Sequence, residues 1–329
     1  MSALYKLTRQ LLQFTAVICL SAAACKKIPE GFLSEGVYVP DSPIRLERGN
    51  PFLKTASLQL DGTTAPATVE LLDIRKVGTN TRAEEFYREY PVYVYKEAVD
   101  PEKDTTIAQV NKKRELKKLP PFQFLKSGQF IFNAATDSLP VDTDYEYDIR
   151  VTNVAGTREY KKIGLIHTFD APRYEIISKA NSWFQDFSDK SGAAPDPAMT
   201  ITAIADTGNI VILKITDEVG NPFNPAKGEI LVRGDRPSFE SFSRFNPLKF
   251  TDTAMVCNFE IAPFPIKPSK QYNNYLIYYR IPSAFVTMDP SLGLDPKFTY
   301  STNPRFAFRL KKSGTYVVEI RLGKVRRKT

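Results

Sequence analysis

The chain has 329 residues, a formal charge of +8, three cysteines and a single histidine. One imidazole argues against zinc sites and catalytic triads built on histidine. Walker, Gly-x-Ser-x-Gly and dinucleotide fingerprints are missing, so no cofactor is expected.

The first 24 residues read as an export signal. Lys6 and Arg9 form a positive start, and Leu11–Ala24 is an uncharged run ending in small side chains. That run is shorter than the roughly 20 apolar residues a membrane span needs. Ser21-Ala22-Ala23-Ala24-Cys25 resembles a bacterial lipoprotein box, in which Cys25 is acylated and becomes the first mature residue. Ala22-x-Ala24 also satisfies the ordinary secretory rule, which would leave Cys25 as a free N-terminal thiol. Losing the leader lowers the charge by two, a mild excess for an exported protein, so nucleic acid is not an expected partner. Cys257 lies in the strand-like Ala254–Phe259 and reads as a small buried hydrophobe, so no structural disulfide is expected.

Residues 25–36 read as a polar tether. Lys27-Ile28-Pro29-Glu30-Gly31-Phe32-Leu33-Ser34, followed by Pro43-Ile44 and Arg48-Gly49, resembles a family of uncharacterised surface lipoproteins. Members accompany Sus-type glycan-uptake systems in the outer membrane of Bacteroidetes. The resemblance implies an outer-membrane location and a glycan role, and it carries over no functional residues.

Residues 37–170 predict an immunoglobulin-like sandwich. Asp61-Gly62 marks a turn between two short strands. Tyr145–Thr152 alternates apolar and polar residues, which predicts one face on a core and one in water. Asn153-Val154-Ala155-Gly156 then turns the chain into a strand over Arg158–Ile166, as in the last hairpin of such a fold. Asp142, Asp144, Glu146 and Asp148 share the polar face. Same-face side chains lie almost 7 Å apart, too far for all four to ligate one calcium, and pairing with Arg158 or Lys162 is expected instead. His167 reads as a core or edge side chain. Ile107–Leu119 breaks the β rhythm and predicts a short, solvated helical insertion.

Phe169–Arg173 reads as a linker, and residues 171–329 predict a second sandwich or a jelly roll. Asp206-Thr207-Gly208-Asn209 predicts a hairpin joining Thr200–Ala205 to Ile210–Thr216. Ile210–Leu213 is nearly continuous hydrophobe and reads as a central strand. Phe306, Phe308 and Leu310 alternate with polar or small residues, and Tyr316, Val318, Ile320 and Leu322 share one face beyond Ser313-Gly314. That pattern predicts a second hairpin, followed by a solvated basic tail over Lys324–Lys328.

The expected fold is therefore all-β, with two tandem β-sandwiches. Trp183, with Phe184 and Phe187, could stack on the C–H faces of sugars while Asn181, Ser182 and Gln185 bond hydroxyls; the competing reading is a core plug. Gln271-Tyr272-Asn273-Asn274-Tyr275 places amides beside tyrosines, which suits neutral polyols, and ordinary loop chemistry also explains it. Tyr272, Asn274 and Tyr275 join Trp183 as candidate ligand contacts. Phe239, Phe242 and Phe245, after Arg236-Pro237, read as a cap on one end of the sandwich. Asp217–Pro222 reads as an acidic turn.

The leading functional reading is a non-enzymatic outer-membrane lipoprotein that binds polysaccharide as an accessory to capture or uptake, with no metal and no catalytic residue. It would face the cell surface, the periplasmic side being the alternative. The competing class is an assembly or adhesion component that binds a protein, such as an outer-membrane transport protein, through loops or strand edges. A glycan-cleaving enzyme, which needs only two suitably spaced carboxylates, is a third reading.

Overall fold

The computed structural model describes residues 30–100 and 102–328, so the leader and Cys25 lie outside the described residues. The chain divides into two compact units. One comprises residues 30–92 and Lys117–Asp170; the other comprises Tyr93–Leu116 and residues 171–328. Both are built from β-strands, and the protein is all-β.

In the first half of the chain the strands are β1 (Ile44–Glu47), β2 (Phe52–Lys54), β3 (Thr68–Lys76), β4 (Tyr90–Tyr95) and β5 (Arg114–Leu119). They continue with β6 (Phe122–Phe124), β7 (Phe130–Asn133), β8 (Thr143–Asn153) and β9 (Gly156–Phe169). One sheet of the first unit runs β1-β9-β8-β3 and the other β2-β7-β6, with β1 parallel to β9. Strands β2, β7 and β6 thus stand where B, E and D stand in an immunoglobulin-like sandwich, and β3, β8 and β9 where C, F and G stand. The alternation of β8 does the packing. Tyr145, Tyr147, Ile149 and Val151 are all buried, and the Phe130 ring of the facing sheet meets Tyr147 edge-on at 5.0 Å. Each such side chain contributes about 1.5–3 kcal/mol by leaving water.

The polar face of β8 is solvated at Asp144, as alternation predicts, but covered at its centre. Glu146 and Asp148 are 5% and 2% exposed. Arg75, from β3, reaches Asp148 at 2.7 Å, and Lys162 reaches Glu146 at 3.2 Å. A bulge in β9 opposite Asp148 puts the Lys162 N–H on its carboxylate at 2.7 Å. The basic side chains fold their stems over the carboxylates and keep water out. Asp144 instead pairs with His167 at 2.8 Å. The end of the expected tether is also part of this unit: Ser34 is buried, and its amide donates to Thr63 at 3.0 Å.

Residues 93–116, inside the expected first domain, group with the second unit. Their helix α1 (Ile107–Lys113) has a reciprocal capping box between Thr106 and Gln109. It is not a purely solvated insertion. Val110 is fully buried, and Arg114 reaches Glu260 at 3.0 Å.

The second unit holds β10 (Tyr174–Gln185), β11 (Ser191–Ala194), β12 (Ala198–Ala205), β13 (Ile210–Thr216) and β14 (Leu231–Val232). Helix α2 (Phe239–Phe242) precedes β15 (Lys249–Phe250), β16 (Met255–Asn258), β17 (Ile277–Arg280) and β18 (Val286–Met288). Strands β19 (Tyr300–Thr302), β20 (Arg305–Leu310), β21 (Thr315–Arg321) and β22 (Val325–Arg327) complete it. Its sheets are β11-β10-β20-β17-β14, with β19 also on β10, and β12-β21-β13-β16-β15; β18 pairs with β22. One core joins the two sheets, making this unit a second sandwich. Cys257 lies in that core, where burial pushes its thiol up to about 12. Phe239 and Phe242 are core residues there rather than an outer cap.

Neither predicted hairpin of this unit forms. Strand β21 lies between β12 and β13, antiparallel to one and parallel to the other. Phe306, Phe308 and Leu310 of β20 and Tyr316, Val318 and Ile320 of β21 are fully buried in opposite sheets. Two fully apolar stripes gain more by facing each other across a core than by sharing one sheet. The basic end is not a free tail either. Val325 is fully buried, and Arg327 forks onto Glu229 with two bonds of 2.6 Å.

Candidate functional site

The outer face of the β10-β20-β17-β14 sheet gathers aromatic rings and arginines. Because Phe306, Phe308 and Leu310 point into the core, Arg305 and Arg309 take the other face of β20. Tyr278 of β17 lies opposite Arg305, and Arg280 lies two residues further along the same face. On β10, Ala180 stands opposite Arg305 and Phe184 opposite Ser301, so Phe184 shares that face.

Two loops add to it. Arg236, in the turn after β14, donates to the Tyr272 hydroxyl and lies 4.9 Å from the centre of that ring. Tyr272 is 6.3 Å from Tyr278. Arg309 lies 4.9 Å from the centre of the Tyr275 ring, and its Nε is buried with no hydrogen-bond partner among the described residues. Such cation–ring contacts hold guanidinium planes in place at about 0.5–1 kcal/mol each when exposed. Tyr272 and Tyr275 are therefore brought together with arginines. Asn274, between them, holds the turn: its Oδ1 accepts from Leu276 N at 3.1 Å and its carbonyl from Ser269 N at 2.7 Å.

Trp183 occupies the other face of β10. It is half-buried, meets Tyr300 edge-on at 5.7 Å, and stands opposite Gly192 of β11. A Cβ at position 192 would lie 2.5 Å from Trp183 Cζ2, so glycine is what lets the indole lie across β11. Gly192→Ala is expected to displace the ring and cost about 1–3 kcal/mol, as overpacking does. Trp183 is the only tryptophan, so a shifted emission maximum with a lowered unfolding midpoint checks this; unchanged emission and midpoint would contradict it.

The hairpin joining β10 to β11 carries Phe187 at its tip, fully exposed and at a positive φ of 57°. The tip is anchored by Asp186, whose carboxylate accepts from Thr299 at 2.7 Å and from the Ser283 hydroxyl. Phe184, Phe187, Arg280 and Ser301 line a recess of about 490 Å³. The neighbouring recess, about 290 Å³, is lined by Val232–Arg236 and Arg280.

The aromatic positions were visible in the sequence; Arg233, Arg280 and Arg305 were not singled out. Only the pairing of β14, β17 and β20 brings them together, and their separation in the chain leaves no local spacing to find.

No family model matches the chain, and neither does any curated protein. Among solved structures, it is similar to a SusE-like surface-located polysaccharide-binding protein from the Bacteroides thetaiotaomicron heparin utilisation locus. The identity is 8% and the TM-score 0.23, over 87% of this chain and 53% of the other, so this chain spans about half the length of that protein.

Proposed function

We propose that this chain is a non-enzymatic lipoprotein that binds glycan through the outer sheet face of its second unit, as an accessory to polysaccharide capture. The observation that carries the reading is the fully exposed Phe187 ring beside Arg280 and half-buried Phe184, with Tyr272 and Tyr275 further along the same sheet face. A phenylalanine held wholly in water by an anchored hairpin gives up hydrophobic burial that a ligand restores. Flat rings suit the C–H faces of sugars, and the arginines beside them supply donors for hydroxyls. The lipoprotein box at Cys25 would tether the unit to the outer membrane, facing the cell surface.

Affinity electrophoresis of residues 26–329 through gels carrying a panel of polysaccharides tests this. At least one is expected to retard the protein, without release of sugar. Phe187→Ala is expected to weaken that retardation about tenfold while leaving the unfolding midpoint unchanged. Undiminished retardation of the variant would remove this face from the binding site, and no retardation on any gel would favour a protein partner.

A further inference from the structure

The arginines of this face are more numerous and less neutralised than a neutral sugar requires. Arg233 lies 4.8 Å and Arg280 5.9 Å from the centre of the same Phe184 ring. Arg236, from the same turn as Arg233, lines one recess with Arg233 and Arg280. Among the described residues, only Arg236 of the set Arg233, Arg236, Arg280 and Arg305 has a carboxylate within 4 Å, Asp235 at 4.0 Å. Burial, then the like charges of Arg236, Arg280 and Arg305, holds the Arg233 guanidinium below the usual arginine range. Crowding like charges destabilises a compact state unless something of opposite sign offsets it.

A second observation comes from Asn303, which is 1% exposed and stands in register with Ser182, on the same face as Phe184. Its Oδ1 accepts from Arg280 Nε at 3.2 Å, which orients that guanidinium, and its buried Nδ2 has no partner among the described residues. Arg280 thereby stands where the two recesses meet, with no ion pair or hydrogen bond at its terminal nitrogens among the described residues.

We propose that this face binds an acidic polysaccharide. Its carboxylate or sulfate groups would pair with Arg233, Arg280 and Arg305, while its sugar rings lie against Phe184 and Phe187. Guanidinium forks match planar or multi-oxygen anions with two parallel N–H bonds, which an ammonium cannot do. Adjoining recesses divided by one arginine suit a chain of repeating anionic units better than a flat lipid surface, which favours projecting side chains. The inference rests on the glycan reading of this face.

The test uses residues 26–329 in gels carrying dextran, dextran sulfate or polygalacturonate, which separates charge from sugar backbone. Retardation is expected by dextran sulfate or polygalacturonate and not by dextran. The variant R233Q/R280Q is expected to lose about tenfold in affinity. K249Q/K297Q removes the same charge from exposed lysines elsewhere on this unit and is expected to stay within about twofold. Equal losses in the two variants would reduce the binding to net charge and overturn the inference. Retardation by neutral polysaccharide alone would overturn it too, yet leave the glycan reading standing; no retardation by any polysaccharide would remove both. Arginine-dependent binding to phosphatidylglycerol vesicles or to polyglutamate, without polysaccharide binding, would reassign the face to a membrane or an acidic protein. Circular dichroism monitors folding, and Arg305→Gln, at an exposed position, repeats the measurement if the double variant fails to fold.

Discussion

Arg75→Met is expected to destabilise the first unit by about 3 kcal/mol at neutral pH, the low end of the range for breaking a buried pair because Lys161 stays 3.4 Å from Asp148. The Asp148 side chain is 3% exposed and that of Arg75 16%. Burial alone would raise the Asp148 carboxyl; the Arg75 guanidinium and the Lys162 N–H outweigh it and hold the carboxyl below its ordinary range. The sign of the pH dependence follows. With a depressed folded pKa, the stability contributed by the charged carboxylate is complete above its unfolded pKa of about 3.9 and is lost as pH falls through the folded value. In the variant the Lys162 N–H and Lys161, 3.4 Å away, still hold the carboxylate, so what is lost is the share that Arg75 supplies. The gap between wild type and variant in urea unfolding should therefore be wide at pH 7 and narrow as pH falls below about 4. A gap independent of pH would mean that Arg75 acts through packing of its stem and not through charge.

The second large effect is expected at the C-terminus. Arg327→Met should cost about 3 kcal/mol, the low end of the buried-pair range because Arg327 keeps partial solvent access. Glu229 is 6% exposed at its side chain, and it accepts both bonds of the Arg327 fork. Burial would raise its carboxyl, and Arg327 and the Asn224 N–H hold it low. The backbone around Arg327 is held independently, since its N–H donates to Asp217 at 3.1 Å and β22 pairs with β18. The loss should therefore appear as a lower unfolding midpoint with a native-like circular dichroism spectrum. An unfolding free energy within about 0.5 kcal/mol of wild type would return residues 324–328 to the role of a solvated tail.

These two networks show where the sequence was legible. Strand alternation located β8 and its hairpin with β9, because Tyr145–Thr152 and Asn153–Gly156 signal locally. The same alternation could not tell that the polar face of β8 is covered at its centre, since the cover comes from Arg75 on β3, 73 residues earlier. Continuous hydrophobicity identified β13 as central, with β21 and β16 beside it. It could not show that β21 enters between β12 and β13, because a buried apolar stripe fits either sheet until register is fixed. The site divides the same way. Tyr272 and Tyr275 were visible as tyrosines beside amides, a pattern that ordinary loop chemistry also explains. The arginines were ordinary charges in the sequence and became a cluster only through β-pairing, and the strand parity that places Trp183 opposite Phe184 assigns the indole to the reverse of β10.

The most direct test is hydrogen exchange across residues 30–328, measured with and without each polysaccharide of the panel. With a polysaccharide that retards the protein, slowed exchange is expected over residues 182–190, 231–236 and 271–280, with residues 30–92 unchanged. Protection confined to the first unit, or none with any polysaccharide, would contradict the assignment of glycan binding to this face.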